Sequence, residues 1–355
     1  MVDRTDRHFR MLLRAITRRT LLYTEMISLS AALGRDQQRV LGFDPVEGPL
    51  ALQLGGDDPA RLAEAAVVAT AMGYDEIDLN CGCPSPRVQK GRFGVILMKD
   101  PARVAECVAA MRKATSLPVT VKQRLGVDDL DQYEHAEDFV ARVKDAGADR
   151  VIVHARKAWL KGLSPAQNRT VPPLRWDWVH RLKAEHPSLR VEINGGITTL
   201  AQAAEHLRQG IDGVMIGRAA YDDPMLFAHA DAFIDAHERG ESWPTTSDEA
   251  PRVGAAERLT VLRSLLPYVA RAVEQGHRLP LVTRHFMGLV HGLPGARRFR
   301  RTLSEQARLP GASTTLLADA IDELEANIEQ NRLSGRFLGE GSRSDAQTTG
   351  SGPAH

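Results

Sequence analysis

Arg190-Val191-Glu192-Ile193-Asn194-Gly195-Gly196 and Gly213-Val214-Met215-Ile216-Gly217-Arg218 are short apolar runs, each ending in glycine beside a polar or charged residue. Ala201–Gln209, between them, has the apolar spacing of a helix. A strand, a helix and a second strand so arranged predict two parallel strands joined by a crossover. Going back along the chain, the same kind of run recurs at Arg150–His154, Pro118–Lys122, Glu76–Asn80, Pro49–Leu54 and Leu21–Ile27. Helical stretches separate them at Asp58–Met72, Ala102–Ala114 and His135–Ala146; on the first, Leu62, Ala65, Ala66, Ala69 and Met72 mark one face. Asp145-Ala146-Gly147-Ala148-Asp149 supplies a C-cap glycine before the next strand.

A doubly wound sheet and a (β/α)8 TIM barrel both satisfy this alternation. Two features favour the barrel. Nearly every strand ends in polar residues, as when the loops after the strands build one site, and the last two end in glycines where such barrels carry a phosphate site. No G-x-G-x-x-G follows a strand, which argues against a dinucleotide-binding sheet. Seven runs are present where a barrel needs eight. Thr5–Ile16 reads as a loop and its following helix, so the first strand is expected to be truncated. Residues 1–240 are assigned to the barrel and Gly240–Ala250, with Pro244, Thr245, Thr246 and Ser247, to a linker. Residues 251–331 form an all-helical C-terminal domain with Leu259, Leu262, Leu265 and Leu266 as its stripe, and residues 334–355 a disordered tail.

The 355 residues carry 46 Lys+Arg and 45 Asp+Glu, a net charge of +1. No apolar run is long enough for a membrane helix. The charged start MVDRTDRHFRM is unlike a signal peptide, so the expected compartment is the cytoplasm. Three cysteines argue against a disulfide framework. The near-neutral total conceals a window from Arg252 to Pro310 with eleven Arg, no Lys, three Glu and no Asp. Such a patch suits a polyanion; the alternative is a solvated helical surface.

Asp78-Leu79-Asn80-Cys81-Gly82-Cys83-Pro84-Ser85-Pro86 is the most unusual segment. A metal site would need further ligands at suitable spacing, and Cys107 lies inside a helical stretch, so no metal is expected. Cys81 fits an inert buried thiol. Cys83, between Gly82 and Pro84, belongs to a loop at the barrel mouth, where a free thiol, mostly protonated at neutral pH, can donate a proton. Lys122 with Arg124, and His154 with Arg156, place basic groups two apart on the same side of their strands. Buried cations need anions. A flavin supplies them, and local carboxylates are the competing partners. Gln53, polar within an apolar strand, needs a hydrogen-bond partner that a flavin edge could provide.

The chain resembles the tRNA-dihydrouridine synthases, and most closely their A-type bacterial branch, from Val2 to about Gly311. The stretches that carry the likeness are residues 3–10 (DRTDRHFR), Leu22-Tyr23-Thr24-Glu25-Met26, Asn80-Cys81-Gly82-Cys83-Pro84-Ser85 and Gly91-Arg92-Phe93-Gly94. Residues 154–160 (HARKAWL) and 292–298 (GLPGARR) add to it. The resemblance implies an FMN-dependent barrel and a helical tRNA-binding domain that reduce D-loop uridines, at positions 20 and 20a, with NADPH as electron donor. It implies hydride transfer from reduced FMN to C6 and a proton from Cys83 to C5. Met1, Gln53, Lys122, His154, Asn194, Gly195, Gly196, Gly217 and Arg218 would hold FMN, and Asn80 the target nucleotide. Arg169, Arg297, Arg298 and Arg301 would hold tRNA, Arg298 and Arg301 sharing a helix face. The family's first strand ends in Ala-Pro-Met, and Met1 stands where that methionine would be. The chain is expected to act as a monomer.

Two other readings are an FMN barrel acting on a free pyrimidine and a tRNA-binding protein with an idle barrel. The first would need no Arg-rich helical appendage.

Overall fold

The computed structural model describes residues 1–244, 246 and 251–334, and the chain divides into two compact units at Ala250/Pro251. Part of the expected linker and the tail after Ser334 lie outside the described residues.

The first unit is an α/β barrel-type fold built on one parallel sheet. Its strands are β1 (Leu22–Tyr23), β2 (Ile27–Ser28), β3 (Leu50–Gly55), β4 (Glu76–Cys81), β5 (Val119–Arg124), β6 (Arg150–His154), β7 (Arg190–Asn194) and β8 (Gly213–Met215). The order runs β1-β3-β4-β5-β6-β7-β8, with β2 also paired to β3. The run read as one strand over Leu21–Ile27 is thus two short strands along the same neighbour. The break falls where Thr24 turns its hydroxyl to accept from the Gln53 amide at 3.0 Å. Seven positions follow one another across the sheet, and among the described residues β1 and β8 do not pair.

Alternation sorts the side chains. Ile77, Leu79 and Cys81 of β4, Val119 and Val121 of β5, and Val151 and Val153 of β6 face the helices and are fully buried. The helix Pro59–Met72 meets them with Leu62, Ala65, Ala66 and Ala69, and the helix Pro101–Ala114 with Val104, Cys107, Val108 and Met111. This three–four spacing is one helical face. Both helices start at an aspartate followed by proline, Asp58-Pro59 and Asp100-Pro101, and each aspartate side chain accepts from early helix amides.

A three-residue signature recurs before three of the strands. Gly73-Tyr74-Asp75, Gly147-Ala148-Asp149 and Gly210-Ile211-Asp212 precede β4, β6 and β8. Each glycine has a left-handed φ, of 84°, 96° and 91°. Each aspartate reaches sideways to accept from an amide at the start of the preceding strand: Asp75 from Leu50 at 2.7 Å, Asp149 from Val119 at 2.8 Å, Asp212 from Val191 at 2.7 Å. The three pairs β3/β4, β5/β6 and β7/β8 are thereby fixed in register at the ends where the strands begin.

The second unit is helical, with its longest helices at Ala255–Ser264, Leu266–Glu274, Ala296–Glu305 and Thr314–Leu333. Of the expected stripe Leu259, Leu262 and Leu265 are buried, as are Val269, Phe299, Leu317 and Ile321 of the same unit, while Leu266 is only half-buried. The Arg-rich window is not a bare cationic face. Thr314–Leu333 returns acids to it: Arg263 pairs with Asp322 at 2.8 Å and with Glu325, and Arg298 with Glu323.

Candidate active site

The inner face of the sheet is polar from floor to mouth. At the floor, Glu76 of β4 and Glu192 of β7 both pair with Arg150 of β6, the latter at 3.0 Å, and the Tyr23 hydroxyl donates to Glu76 at 3.0 Å. Burial raises the Tyr23 and Glu192 pKa values, while the two carboxylates and Tyr23 hold Arg150 above its usual range. One level up, the buried Asp78 carboxylate accepts from Gln53 Nε2 at 2.7 Å and from Thr120 Oγ1 at 3.0 Å. Burial pushes Asp78 upward, with Glu76 adding to it, and pulls Lys122 downward. Lys122 donates to Asn194 Oδ1 at 3.2 Å, and Asn194 Nδ2 to the Met215 carbonyl at 2.7 Å.

At the mouth, the loop after β4 is held from four sides. Asn80 Oδ1 accepts from the amides of Gly82 and Cys83, both at 3.0 Å. The Cys83 carbonyl accepts from the Val95 amide at 3.0 Å, and Arg124 Nε donates to the Gly82 carbonyl at 2.9 Å. Gly94 lies against Cys83: a Cβ there would come within 2.6 Å of the Cys83 carbonyl. Its φ of +74° also excludes a side chain. Phe93, in the same Gly-Arg-Phe-Gly segment, packs on Gly55 at the end of β3. The Cys83 backbone therefore has both its donor and its acceptor bound, with the thiol half-exposed at the mouth.

Several cations lie near that thiol. Arg124 feels Cys83, Arg169 and Arg156; Arg169 in turn feels Arg218 and Arg4. Several of their hydrogen bonds run to backbone: Arg124 to the Lys157 and Asn168 carbonyls at 3.0 and 2.9 Å, Arg156 to the Pro172 carbonyl, and Arg218 to the Arg169 carbonyl at 3.0 Å. Burial and this positive field push His154 well below its ordinary pKa, so its imidazole is neutral.

Beside His154, Gly195 and Gly196 have φ of +105° and +79°. A Cβ on Gly195 would lie 2.5 Å from the His154 ring, and one on Gly196 2.5 Å from Leu174. Trp176 Nε1 donates to the Gly195 carbonyl at 2.8 Å, fixing the turn. Gly217 precedes the helix Arg218–Asp222, with the Met1 sulfur 3.4 Å from where its Cβ would be. The Met1 amino group donates to Thr5 Oγ1 at 2.6 Å; burial lowers its pKa to about 5, with Glu25 opposing the shift and Lys122 adding to it.

The strand ends thus gather Met1, Gln53, Asn80, Cys83, Lys122, His154, Arg169, Asn194, Gly195, Gly196, Gly217 and Arg218 around one mouth. Arg297, Arg298 and Arg301 are exposed on the helix Ala296–Glu305 of the second unit. Gln53 already has protein partners at both ends of its amide, since Asn80 Nδ2 donates to Gln53 Oε1 at 2.8 Å. Cys81 and Cys107 are buried away from the mouth, and burial raises both thiols. The sequence alone assigned no role to Asp78, Thr120, Gly94 or Trp176. Asp78 was findable: an acid two residues before Asn80 in an apolar strand shares its face.

A parallel barrel sheet with amides, cations and one accessible thiol at its strand ends is the framework of an enzyme. The chain belongs to the dihydrouridine synthase (Dus) family, which it matches over residues 1–325. It is 53% identical over 322 residues to the tRNA-dihydrouridine(20/20a) synthase of Xanthomonas axonopodis pv. citri, covering 91% of each chain. To the protein of that name from Synechocystis it is 50% identical over 321 residues, covering 90% of this chain and 92% of the relative. To that of Salmonella typhi it is 48% identical over 322 residues, covering 90% and 92%. No helix among the described residues is long and apolar enough to cross a membrane.

Proposed function

We propose that this enzyme reduces uridines 20 and 20a of the tRNA D-loop to 5,6-dihydrouridine, with FMN as cofactor and NADPH as electron donor. The observation that carries the reading is the Cys83 loop, fixed on four sides beside a cluster of cations at the barrel mouth. The names of the relatives support the substrate and its positions.

The residues present fit FMN. The left-handed Gly195-Gly196 turn, with its collision-limited Cβ positions, suits close approach of a phosphate, and Gly217 and Arg218 lie at the adjoining strand end. Asn194 would hold the same end, while Gln53, Lys122, His154 and Met1 would line the ring. When bound, FMN supplies the hydride for C6 of the uracil, having taken it from NADPH. Cys83 gives its proton to C5, which leaves a thiolate among Lys122, Arg124 and Arg169. Lys122 would offset negative charge on the bound cofactor. The neutral His154 adds hydrogen bonding there without a further charge. Asn80 keeps one amide hydrogen for the target base. The uridine leaves its stack to enter the mouth, which costs less for a loop nucleotide than for a paired one. Arg169, Arg297, Arg298 and Arg301 hold tRNA phosphates, and the helical unit serves as the tRNA-binding domain.

The test is the purified chain given FMN, NADPH and unmodified tRNA transcript. The expected result is a bound-flavin spectrum, tRNA-dependent reoxidation, and a mass gain of two hydrogens at the D-loop uridines. Turnover of free uridine in place of tRNA would overturn the substrate assignment.

A further inference from the structure

The Asp78 carboxylate, two residues before Asn80 on the same face of β4, is joined to the Cys83 loop through side-chain amides only. Asp78 accepts from Gln53 Nε2 at 2.7 Å, and Gln53 Oε1 accepts from Asn80 Nδ2 at 2.8 Å. Asn80 Oδ1 then accepts from the Gly82 and Cys83 amides, both at 3.0 Å. A side-chain amide can point either way, since each end offers a donor or an acceptor. Here the two ends of the relay remove that freedom. Above about pH 7, where Asp78 is ionised, its carboxylate accepts only, and a backbone N–H donates only. Both demand the same direction, so turning over Gln53 sets like against like at two contacts and turning over Asn80 at three. All three side chains are buried, which makes an unmade bond costly.

We infer that Asp78 is a positioning residue that sets the orientation of Gln53 and Asn80, and through them holds the backbone of the Cys83 loop. This rests on, and deepens, the reading of Cys83 as proton donor: Asp78 touches neither the substrate nor the reacting atoms. Thr120 Oγ1 lies 3.0 Å from Asp78 Oδ1 and equally from Glu76 Oε1, so its single proton links the start of the relay to the floor carboxylate. Asn80 is consequently a loop-holding residue first, with a single amide hydrogen left over for a ligand.

The direction of the relay gives a test by exchange of donor and acceptor. At about pH 8.5, above the Asp78 titration, Gln53→Glu sets two carboxylates against each other and removes the amide donor to Asp78. Asp78→Asn in the same chain restores it, because the asparagine amide donates to Glu and Glu still accepts from Asn80. Hydrogen exchange of the Gly82 and Cys83 amides, followed by mass spectrometry on the flavin-free chain, reads the loop directly. The expected result is exchange about tenfold faster in Gln53→Glu, the worth of roughly one net hydrogen bond, and recovery of most of that factor in the double variant. Asp78→Leu, which keeps the bulk and loses the acceptor, is expected to resemble Gln53→Glu. Unchanged exchange in Gln53→Glu and Asp78→Leu, or no recovery in the double variant, overturns the inference. Because no substrate or cofactor is present, the outcome stands apart from whether the chain reduces tRNA.

Discussion

Arg124 donates from Nε to the Gly82 carbonyl at 2.9 Å, so a buried cation of β5 is bonded to the backbone of the thiol-bearing loop. The same guanidinium reaches the carbonyls of Lys157 and Asn168, tying the loops after β4 and β6 together. Burial pulls its pKa down to about 10, and Arg169 and Arg156 add to the effect, yet it stays charged at neutral pH. Arg124→Lys keeps the charge and loses the planar fork. The expected result is a loss on the order of 2–4 kcal/mol in urea unfolding, since buried carbonyls are left unpaired, together with slower tRNA reduction. Wild-type stability in this variant would remove Arg124 as the tie between the loops.

Cys83→Ala separates the two halves of the proposed reaction. FMN binding and its reduction by NADPH are expected to persist, and dihydrouridine formation to disappear. Stopped-flow absorbance measures the first and mass analysis of the tRNA the second. Slowed reduction by NADPH would contradict a role confined to proton donation.

Gly195→Ala puts a Cβ 2.5 Å from the His154 ring at a φ of +105°. Strain of about 1–3 kcal/mol is expected, with FMN affinity weakened at least tenfold in a fluorescence titration. Gly73→Ala, also left-handed at +84° but with nothing near its Cβ, is the control for strain alone. It should lose stability and keep FMN affinity.

Arg298 and Arg301 lie on the exposed face of the helix Ala296–Glu305, and Arg298 is already paired with Glu323. Replacing both arginines is expected to reduce the salt dependence of tRNA binding by about two in log–log slope. Glu323→Gln should do the reverse, freeing Arg298 and tightening binding at low salt. Filter binding across a salt series measures both, and an unchanged slope would take the pair out of the interface.

Burial raises Asp78 from 3.8 to about 7 and lowers Lys122 from 10.5 to about 8 in the cofactor-free site. Between pH 3.8 and about 7 the folded chain holds the Asp78 proton more tightly than the unfolded one, so this group's stabilisation is lost as pH rises. Lys122 has the opposite sign: its contribution is present above 10.5 and is lost as pH falls through about 8. The stability difference between wild type and Asp78→Asn, from urea titrations, is therefore expected to move against the wild type over the acidic window. A difference independent of pH would show that Asp78 is ionised throughout.

Much of the framework was legible because local signals carry it. Apolar runs ending in polar residues located β3 to β8, and strand alternation put Lys122 and Arg124 on one inner face. The glycines after β7 and β8 marked the mouth. What the sequence concealed depends on contacts between distant segments. The interruption of the first run comes from Thr24 meeting the Gln53 amide, which no nearby residue announces. Gln53 looked as though it required an external partner, but Asp78 and Asn80 supply two from the neighbouring strand. The Arg-rich window ended just before the helix that brings Asp322, Glu323 and Glu325 against it.

The glycine–x–aspartate triplets before β4, β6 and β8 have a consequence for how this scaffold tolerates change. Each fastens two neighbouring strands at the end opposite Cys83, using a helix-ending backbone turn and one carboxylate. Strand register is thereby decided without help from the residues that do chemistry. The molecule is partitioned into a floor that keeps alignment and a rim that can be rewritten. Substitutions in the loops after the strands can retune cofactor or RNA recognition while the two-strand braces beneath them stay in step.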